Sequence, residues 1–221
     1  MKLIQHVLAV QKLLASGTVS KDFRFSDRLI AHFLKVARSL LIEQKIDKYY
    51  YLSEQSYQSL CVSLELGSFH NCCEAPSSDC LVLKSVDKLP KFLSARFGDF
   101  VKVMTLEGKV ISKTSPTIED LEAYSLTNKT SKLGWFIHDN HLYIVDNTKL
   151  KLVLLNALYA DPEEIDSKNC VVSGTNCPEY LDTEFPIDPD LIDPMYKLTL
   201  QYLLQRGAQD LENDAKDNTI Q

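Results

Sequence analysis

The chain has few of the motifs that enzyme and cofactor sites usually require. Its 221 residues include only seven glycines, and none of them cluster as a phosphate-binding loop would need. Neither a G-x-S-x-G nucleophile turn nor an H-E-x-x-H metal helix is present. The acidic run from Asp188 to Asp193 has oxygen ligands suited to calcium, but it lacks the glycine of an EF-hand loop. We therefore expect no catalytic residue and no cofactor.

Long apolar runs are also missing, because no stretch reaches the roughly 18 residues that span a bilayer. The N-terminal stretch MKLIQHVLAVQKLLASG resembles a secretion signal in composition. Polar residues interrupt this stretch, and its apolar residues recur at helical spacing. We therefore expect an amphipathic first helix and a cytosolic protein without membrane contact.

The six cysteines include no C-x-x-C pair. His70, Cys72, Cys73 and Cys80 carry side chains that zinc accepts, although their spacing fits no common zinc module. With a basic helix they leave one alternative open, a zinc-containing nucleic-acid-binding module. A hydrolase with a Cys–His site is a third reading, and reduced thiols are the default for a cytosolic chain.

The net charge of −6 is distributed unevenly along the chain. Residues 1–160 carry a net charge of +4, whereas residues 161–193 carry −9. The acidic segment is either a set of solvated loops or one partner in head-to-tail self-association. For the second reading, the charge-complementarity candidates are Arg28, Lys35, Arg38, Asp188, Asp190 and Asp193.

Turn and cap residues mark several elements along the chain. Glu107-Gly108 and Asp139-Asn140 predict two hairpin turns, and Ser115-Pro116 predicts the start of a short helix. Asp193-Pro194 is an N-cap residue followed by proline, which predicts the start of the last helix.

Helical periodicity near both ends and strict alternation in the middle indicate the fold class. We predict an α+β fold, in which a helical bundle formed from both chain ends carries an inserted antiparallel β-rich domain. Leu34 and Leu41 belong to the apolar stripe of the second helix and are expected in its core. The predicted parts are a helical part (1–60), a β-rich domain with one short helix (61–160), an acidic extended segment (161–193), a C-terminal helix completing the helical part (194–207) and a disordered tail (208–221).

Several apolar and aromatic residues are candidates for a subunit interface. Three successive tyrosines after the second helix cannot all face one core, so at least one is exposed or lies at an interface. A rim around the end of that helix is the alternative. The last helix is apolar on more than one side, which suggests a second neighbour such as another subunit. The interface candidates are Tyr49, Tyr50, Tyr51, Phe185, Ile187, Leu191, Ile192 and Tyr196.

Three blocks of the sequence resemble the neck proteins of crAss-like bacteriophages. They are FRFSDRLIAHFLKVARSLLIEQK (23–45), YLSEQSYQSLCVSLE (51–65) with the following cysteine segment, and EFPIDPDLI (184–192). The resemblance covers nearly all of residues 20–205. Members of this family form rings that stack beneath the portal of a short-tailed virion.

The resemblance implies a non-enzymatic virion structural protein, located in the neck and assembled in the host cytoplasm. It implies a homo-oligomeric ring, expected to be a dodecamer that matches the portal, with the portal and other neck or tail rings as partners. Genomic DNA would pass through the lumen without sequence-specific binding. If acidic segments line this channel they would repel phosphates, and the basic second helix would face protein instead.

Overall fold

The computed structural model describes residues 1–15, 25–49, 51–68, 81–95, 98–114, 133–145, 149–173, 179 and 181–217. Its α-helices are α1 (Leu3–Leu14), α2 (Asp27–Tyr49), α3 (Pro162–Ser173) and α4 (Ile192–Asp217). Two short 3₁₀ helices lie at Glu54–Ser56 and Pro189–Leu191. The strands are β1 (Gln58–Ser68), β2 (Leu81–Ser85), β3 (Ser94–Ala95), β4 (Gly98–Asp99), β5 (Val101–Met104), β6 (Val110–Lys113), β7 (Gly134–His138), β8 (His141–Val145) and β9 (Leu152–Ala157).

Seven of these strands close into a barrel in the order β1-β2-β8-β7-β6-β5-β9, and β3 pairs only with β4. The long strand β1 makes closure possible, because its first half pairs with β9 and its second half pairs with β2. All barrel pairs are antiparallel except β6 with β7. The indole Nε1 of Trp135 strengthens this short parallel pair by donating to the Ile111 carbonyl at 3.0 Å.

Alternation along the strands fills the barrel with aliphatic side chains. On β1, for example, Leu60, Val62 and Leu64 are buried, while the residues between them are more exposed. Both predicted hairpins are confirmed. Gly108 has a φ of +83° in the β5–β6 turn, and the β7–β8 turn consists of Asp139 and Asn140, both with positive φ.

Helices α1, α2 and α4 contact one another around a second core. That core also contains Leu93 and Leu158, which lie outside the barrel strands, and the segment between α3 and α4. Conversely, Ile165 of α3 is buried in the barrel core. The buried residues of the helical core are Leu3, Val7, Val10, Ile30, Ala31, Leu34, Ala37, Ile42, Ile46, Leu52, Leu93, Leu158, Phe185, Ile187, Leu191, Met195 and Leu203.

The predicted fold class is wrong. The strands do not form an antiparallel domain inserted into a helical bundle, because they close into a seven-stranded barrel with one parallel pair. Alternation predicts strands but does not show which of them pair, so closure could not be read from the pattern.

One local prediction inside the acidic segment is also wrong. Residues 162–173 are helical, not extended, because Asp161 caps α3 by accepting from the Glu163 amide at 3.1 Å and Pro162 occupies the first turn. The backbone of α4 continues to Asp217, which overlaps the predicted tail, and the disorder of that tail stays a prediction. The predicted helix after Ser115 lies outside the described residues.

Candidate functional site: the strap on helix α2

The acidic segment crosses the helical part as a strap, which we define as residues 181–191. Its first half pairs with the N-terminus of the chain. The amides of Leu3 and Ile4 donate to the carbonyls of Thr183 and Leu181, and the Phe185 amide donates to the Met1 carbonyl. These bonds of 2.9 to 3.0 Å fix an irregular segment through main-chain atoms.

Arg38 of α2 is fully buried and holds the middle of the strap. Its Nε donates to the Pro186 carbonyl at 2.6 Å, and Nη1 donates to the Tyr159 carbonyl at 2.9 Å. A longer contact of 3.5 Å leads from Nη2 to the Ser56 carbonyl. Burial lowers the pKa of Arg38 to about 9, against an opposing effect of Asp161. The side chain is therefore a cation at neutral pH that ties together the strap, the segment after β9 and the first 3₁₀ helix.

Asp188 attaches the C-terminal end of the strap to α2 and to the first 3₁₀ helix. This buried carboxylate accepts from Lys45 Nζ at 2.7 Å, from Ser56 Oγ at 2.7 Å and from both the amide and the hydroxyl of Ser53. Burial alone would raise the pKa of Asp188, but these hydrogen bonds outweigh burial and lower it to about 2. Lys45 Nζ also contacts Asp190 at 2.8 Å.

Helix α3 is attached to α2 by the same kind of contact. Lys35 Nζ lies 3.0 Å from Asp161 and 2.6 Å from Glu163. Burial opposes the charged form of Lys35, yet its bonds to Glu163 and Asp161 raise its pKa above the usual value. The basic face of α2 therefore contacts the acidic segment of its own chain.

His6 lies in the helical core next to the strap. Its Nδ1 is 2.8 Å from the Tyr196 hydroxyl, and its ring is 5.1 Å from that of Phe185, centroid to centroid. Burial, with a smaller effect of the N-terminal ammonium, lowers the pKa of His6 to about 4. The imidazole is therefore neutral at neutral pH.

The predicted charge-complementarity residues separate into two groups. Lys35, Asp188 and, through Lys45, Asp190 form ion pairs within the chain, whereas Arg38 donates to backbone carbonyls. Arg38 and Asp188 are both buried, so their contacts lie inside the subunit. Arg28 and Asp193 are exposed at the starts of α2 and α4, and their role in assembly stays a prediction.

The predicted interface residues divide in a similar way. Phe185, Ile187 and Leu191 are buried in the helical core, and Ile192 and Tyr196 are half-buried against it. These five residues therefore have a clear role inside the subunit.

The tyrosines at the end of α2 are different. Tyr49 is 61 % exposed and Tyr51 is 68 % exposed, so both stay candidates for an interface. Tyr50 lies outside the described residues.

Sequence reasoning missed the contact between α2 and the strap, although one signal could have found it. Positions 35, 38 and 45 share a helix face, and the later acidic segment has the opposite charge. The sequence does not show whether such faces meet within one chain or between two.

The predicted zinc ligands, namely His70 and the cysteines at 72, 73 and 80, lie outside the described residues. Within the described part of the chain, no group of three or more histidine, cysteine or acidic side chains is arranged to hold a metal ion. Among those same residues, no helix combines the length and apolarity required to cross a membrane.

Comparison with known protein families places this geometry in context. A family model described as phage tail ring protein 2, of the crAss type, matches residues 5–219. The match includes the strap, both cores and all four helices, apart from the first two residues of α1. No curated protein matches the chain.

Proposed function

Since the chain belongs to the phage tail ring protein 2 family of crAss-like phages, we propose that it is a non-enzymatic subunit of a ring in the virion neck. In this position the ring lies between the portal and the tail and encloses the DNA channel. A dodecamer is the expected size, because a ring that stacks on a portal is most simply built with matching symmetry. Assembly takes place in the host cytoplasm before the ring joins the virion.

The contact between α2 and the strap is the observation that carries the proposal. Lys35, Arg38 and Lys45, which share this helix face, contact acceptors of the same chain. The face is therefore occupied by protein and does not hold DNA by releasing counterions from its phosphates.

Some acidic side chains of residues 161–193 stay exposed on the surface of the subunit. Glu179, Glu184 and Asp193 are exposed, and among the described residues none of them takes part in an ion pair within 4.0 Å. Where such carboxylates line a channel, they repel phosphate groups and allow DNA to slide. This surface suits a lumen that DNA passes through without sequence-specific contacts.

Electron cryo-microscopy of the virion tests the proposal. We expect the seven-stranded barrel and four helices to fit density in the neck, with twelve copies around the axis and acidic side chains towards the DNA. A fit only in the capsid shell, or a lumen lined by the basic face of α2 with Arg28 towards the DNA, would contradict it.

The zinc alternative has its own measurement. Metal analysis of the purified chain should find no bound zinc, because ordinary reduced thiols are expected. About one zinc per chain, retained after dialysis against a weak chelator, would favour the zinc-containing module instead.

A further inference from the structure

The outer surface of the barrel carries an apolar row where water-facing strands are usually polar. On β6, β5 and β9, the buried residues Ile111, Val103 and Leu155 point into the barrel. Their chain neighbours therefore point outward. Two register pairs, Met104 with Val110 and Met104 with Leu154, join these outward side chains into one row across three strands.

The row is open to solvent at the β5–β6 hairpin. Val110 is 56 % exposed, and Leu106 in the adjoining turn is 63 % exposed, while Met104 and Leu154 are half-buried. The turn is well defined, since the Thr105 amide donates to the Lys109 carbonyl at 2.9 Å. An antiparallel sheet that faces water normally alternates apolar inward with polar outward residues. A contiguous exposed apolar surface of this kind marks an interaction site.

Exposed lysines lie next to this apolar row in the chain. Lys102 is on β5, and Lys109 and Lys151 directly precede β6 and β9, while Glu107 in the turn is an exposed carboxylate. We call the three-strand row with Leu106 and these lysines the barrel face. Its apolar centre and charged rim are the arrangement found in protein interfaces, and its charge calls for an acidic partner surface.

A second exposed apolar surface lies at the end of α2 and has more acidic than basic residues. It consists of Tyr49, Tyr51 and the exposed carboxylates of Asp47 and Glu54, and we call it the tyrosine patch. Lys48 is the basic residue within it, and its ammonium lies 4.9 Å from the centre of the Tyr49 ring. Tyrosines are enriched at interfaces because they combine a large contact area with a polar end.

We propose that the barrel face of one copy binds the tyrosine patch of a second copy, and that this contact repeats around the ring. The inference rests on the proposed function, because a closed ring needs two different and complementary surfaces on each subunit. The chain presents two such surfaces on separate elements. One is apolar with a basic rim, and the other is aromatic with an acidic rim.

Solution assembly of three single variants tests this contact. Val110→Asp introduces a charge into the barrel face, and Tyr51→Asp does so in the tyrosine patch. Val86→Asp is the matched control, since Val86 is 49 % exposed, follows β2 and belongs to neither surface. Mass photometry and sedimentation velocity measure assembly over a concentration series, and circular dichroism with thermal melting confirms that each variant is folded.

We expect the wild type and Val86→Asp to assemble alike. Val110→Asp and Tyr51→Asp should each raise the concentration for half-assembly at least tenfold. An equimolar mixture of these two variants should form a 1:1 dimer, because each copy keeps the surface that the other has lost. Such rescue in pairs is specific to a head-to-tail contact.

Three results would overturn the inference. They are assembly of Val110→Asp at the wild-type concentration, no dimer in the mixture, or a wild type that remains monomeric throughout the series. Binding of duplex DNA that Val110→Asp weakens would also overturn it, by assigning the barrel face to nucleic acid. None of these results decides where the chain lies in the virion, which the reconstruction shows separately.

Discussion

The barrel and the helical part of this chain are held together by different kinds of interaction. Apart from Gly134 and the small side chains of Ser85 and Thr105, the buried residues described on the barrel strands and in their turns are aliphatic or aromatic. The helical part also buries Asp188 of the strap, together with Arg38 and His6, which contact the strap. A barrel strand is positioned by its backbone hydrogen bonds to the neighbouring strands and by the alternation of buried and exposed side chains. The strap has little regular pairing, so specific polar partners determine its position.

The largest effect that separates the two regions should come from Arg38. Arg38→Met leaves three carbonyls without their donor in a buried place, and we expect a loss of about 3–5 kcal/mol in the free energy of unfolding. Urea unfolding at low protein concentration measures this value. Arg28→Met is the matched control, because Arg28 is exposed on the same helix and should cost less than about 0.5 kcal/mol. Equal costs for both variants would show that burial of Arg38 is unimportant.

Burial divides the two leucines of the α2 stripe. Leu34 is fully buried, whereas Leu41 is half-buried against the same core. We expect Leu34→Ala to cost about 2–5 kcal/mol and Leu41→Ala about half as much, because a partly exposed site leaves a smaller cavity. Thermal melting compares the two. A larger loss of stability in Leu41→Ala than in Leu34→Ala would indicate that α2 packs against the core with the face that carries Leu41.

The pH dependence of stability should arise in the helical part. The pKa of His6 is about 4 in the folded chain and about 6.5 in the unfolded chain. The unfolded state therefore binds a proton first as pH falls below 6.5, and stability is lost progressively down to pH 4. Between pH 7 and pH 5 we expect a loss of about 2 kcal/mol.

His6→Phe keeps a ring in this place and removes the titrating group. It should reduce the loss between pH 7 and pH 5, as measured by urea unfolding at the two pH values. An unchanged pH dependence in His6→Phe would assign the titration to other groups.

A smaller effect is expected in the barrel, where Gly134 lies at the parallel pair of β6 and β7. A Cβ added there would meet Val145 at 3.0 Å and Thr114 at 3.1 Å, so neighbouring side chains must move. We expect Gly134→Ala to cost about 1–3 kcal/mol. At Gly67 the nearest atom is Lys84 Cβ at an ordinary 3.5 Å, so Gly67→Ala should be neutral or slightly stabilising. Differential scanning calorimetry distinguishes the two variants, and equal melting temperatures would contradict the close packing at Gly134.

Local signals in the sequence were sufficient for the regular elements. Helical spacing predicted α1 and α2, and turn residues such as Asp139-Asn140 predicted the hairpins. Helix α3 was missed although Asp161-Pro162 is the same cap-and-proline signal that was recognised at Asp193-Pro194. This helix was instead included in the acidic segment that was predicted to be extended.

Long-range pairing was not available from the sequence. Barrel closure depends on β1 pairing with two strands, and the parallel pair joins segments separated by 20 residues, from Lys113 to Gly134. In the candidate site, the opposite charges of α2 and the strap were evident. Tertiary packing determines which strands pair and which charged side chains contact each other, and the periodicity of the sequence does not contain this information.

The central claim is that α2 holds the strap of its own chain, and a double-mutant cycle on Lys45 and Asp188 tests it most directly. Lys45→Met, Asp188→Asn and the double variant are unfolded in urea at several protein concentrations. We predict a coupling free energy of about 1–3 kcal/mol that is the same at every concentration, because both side chains belong to one molecule. A coupling near zero, or one that vanishes below the assembly concentration, would contradict the claim.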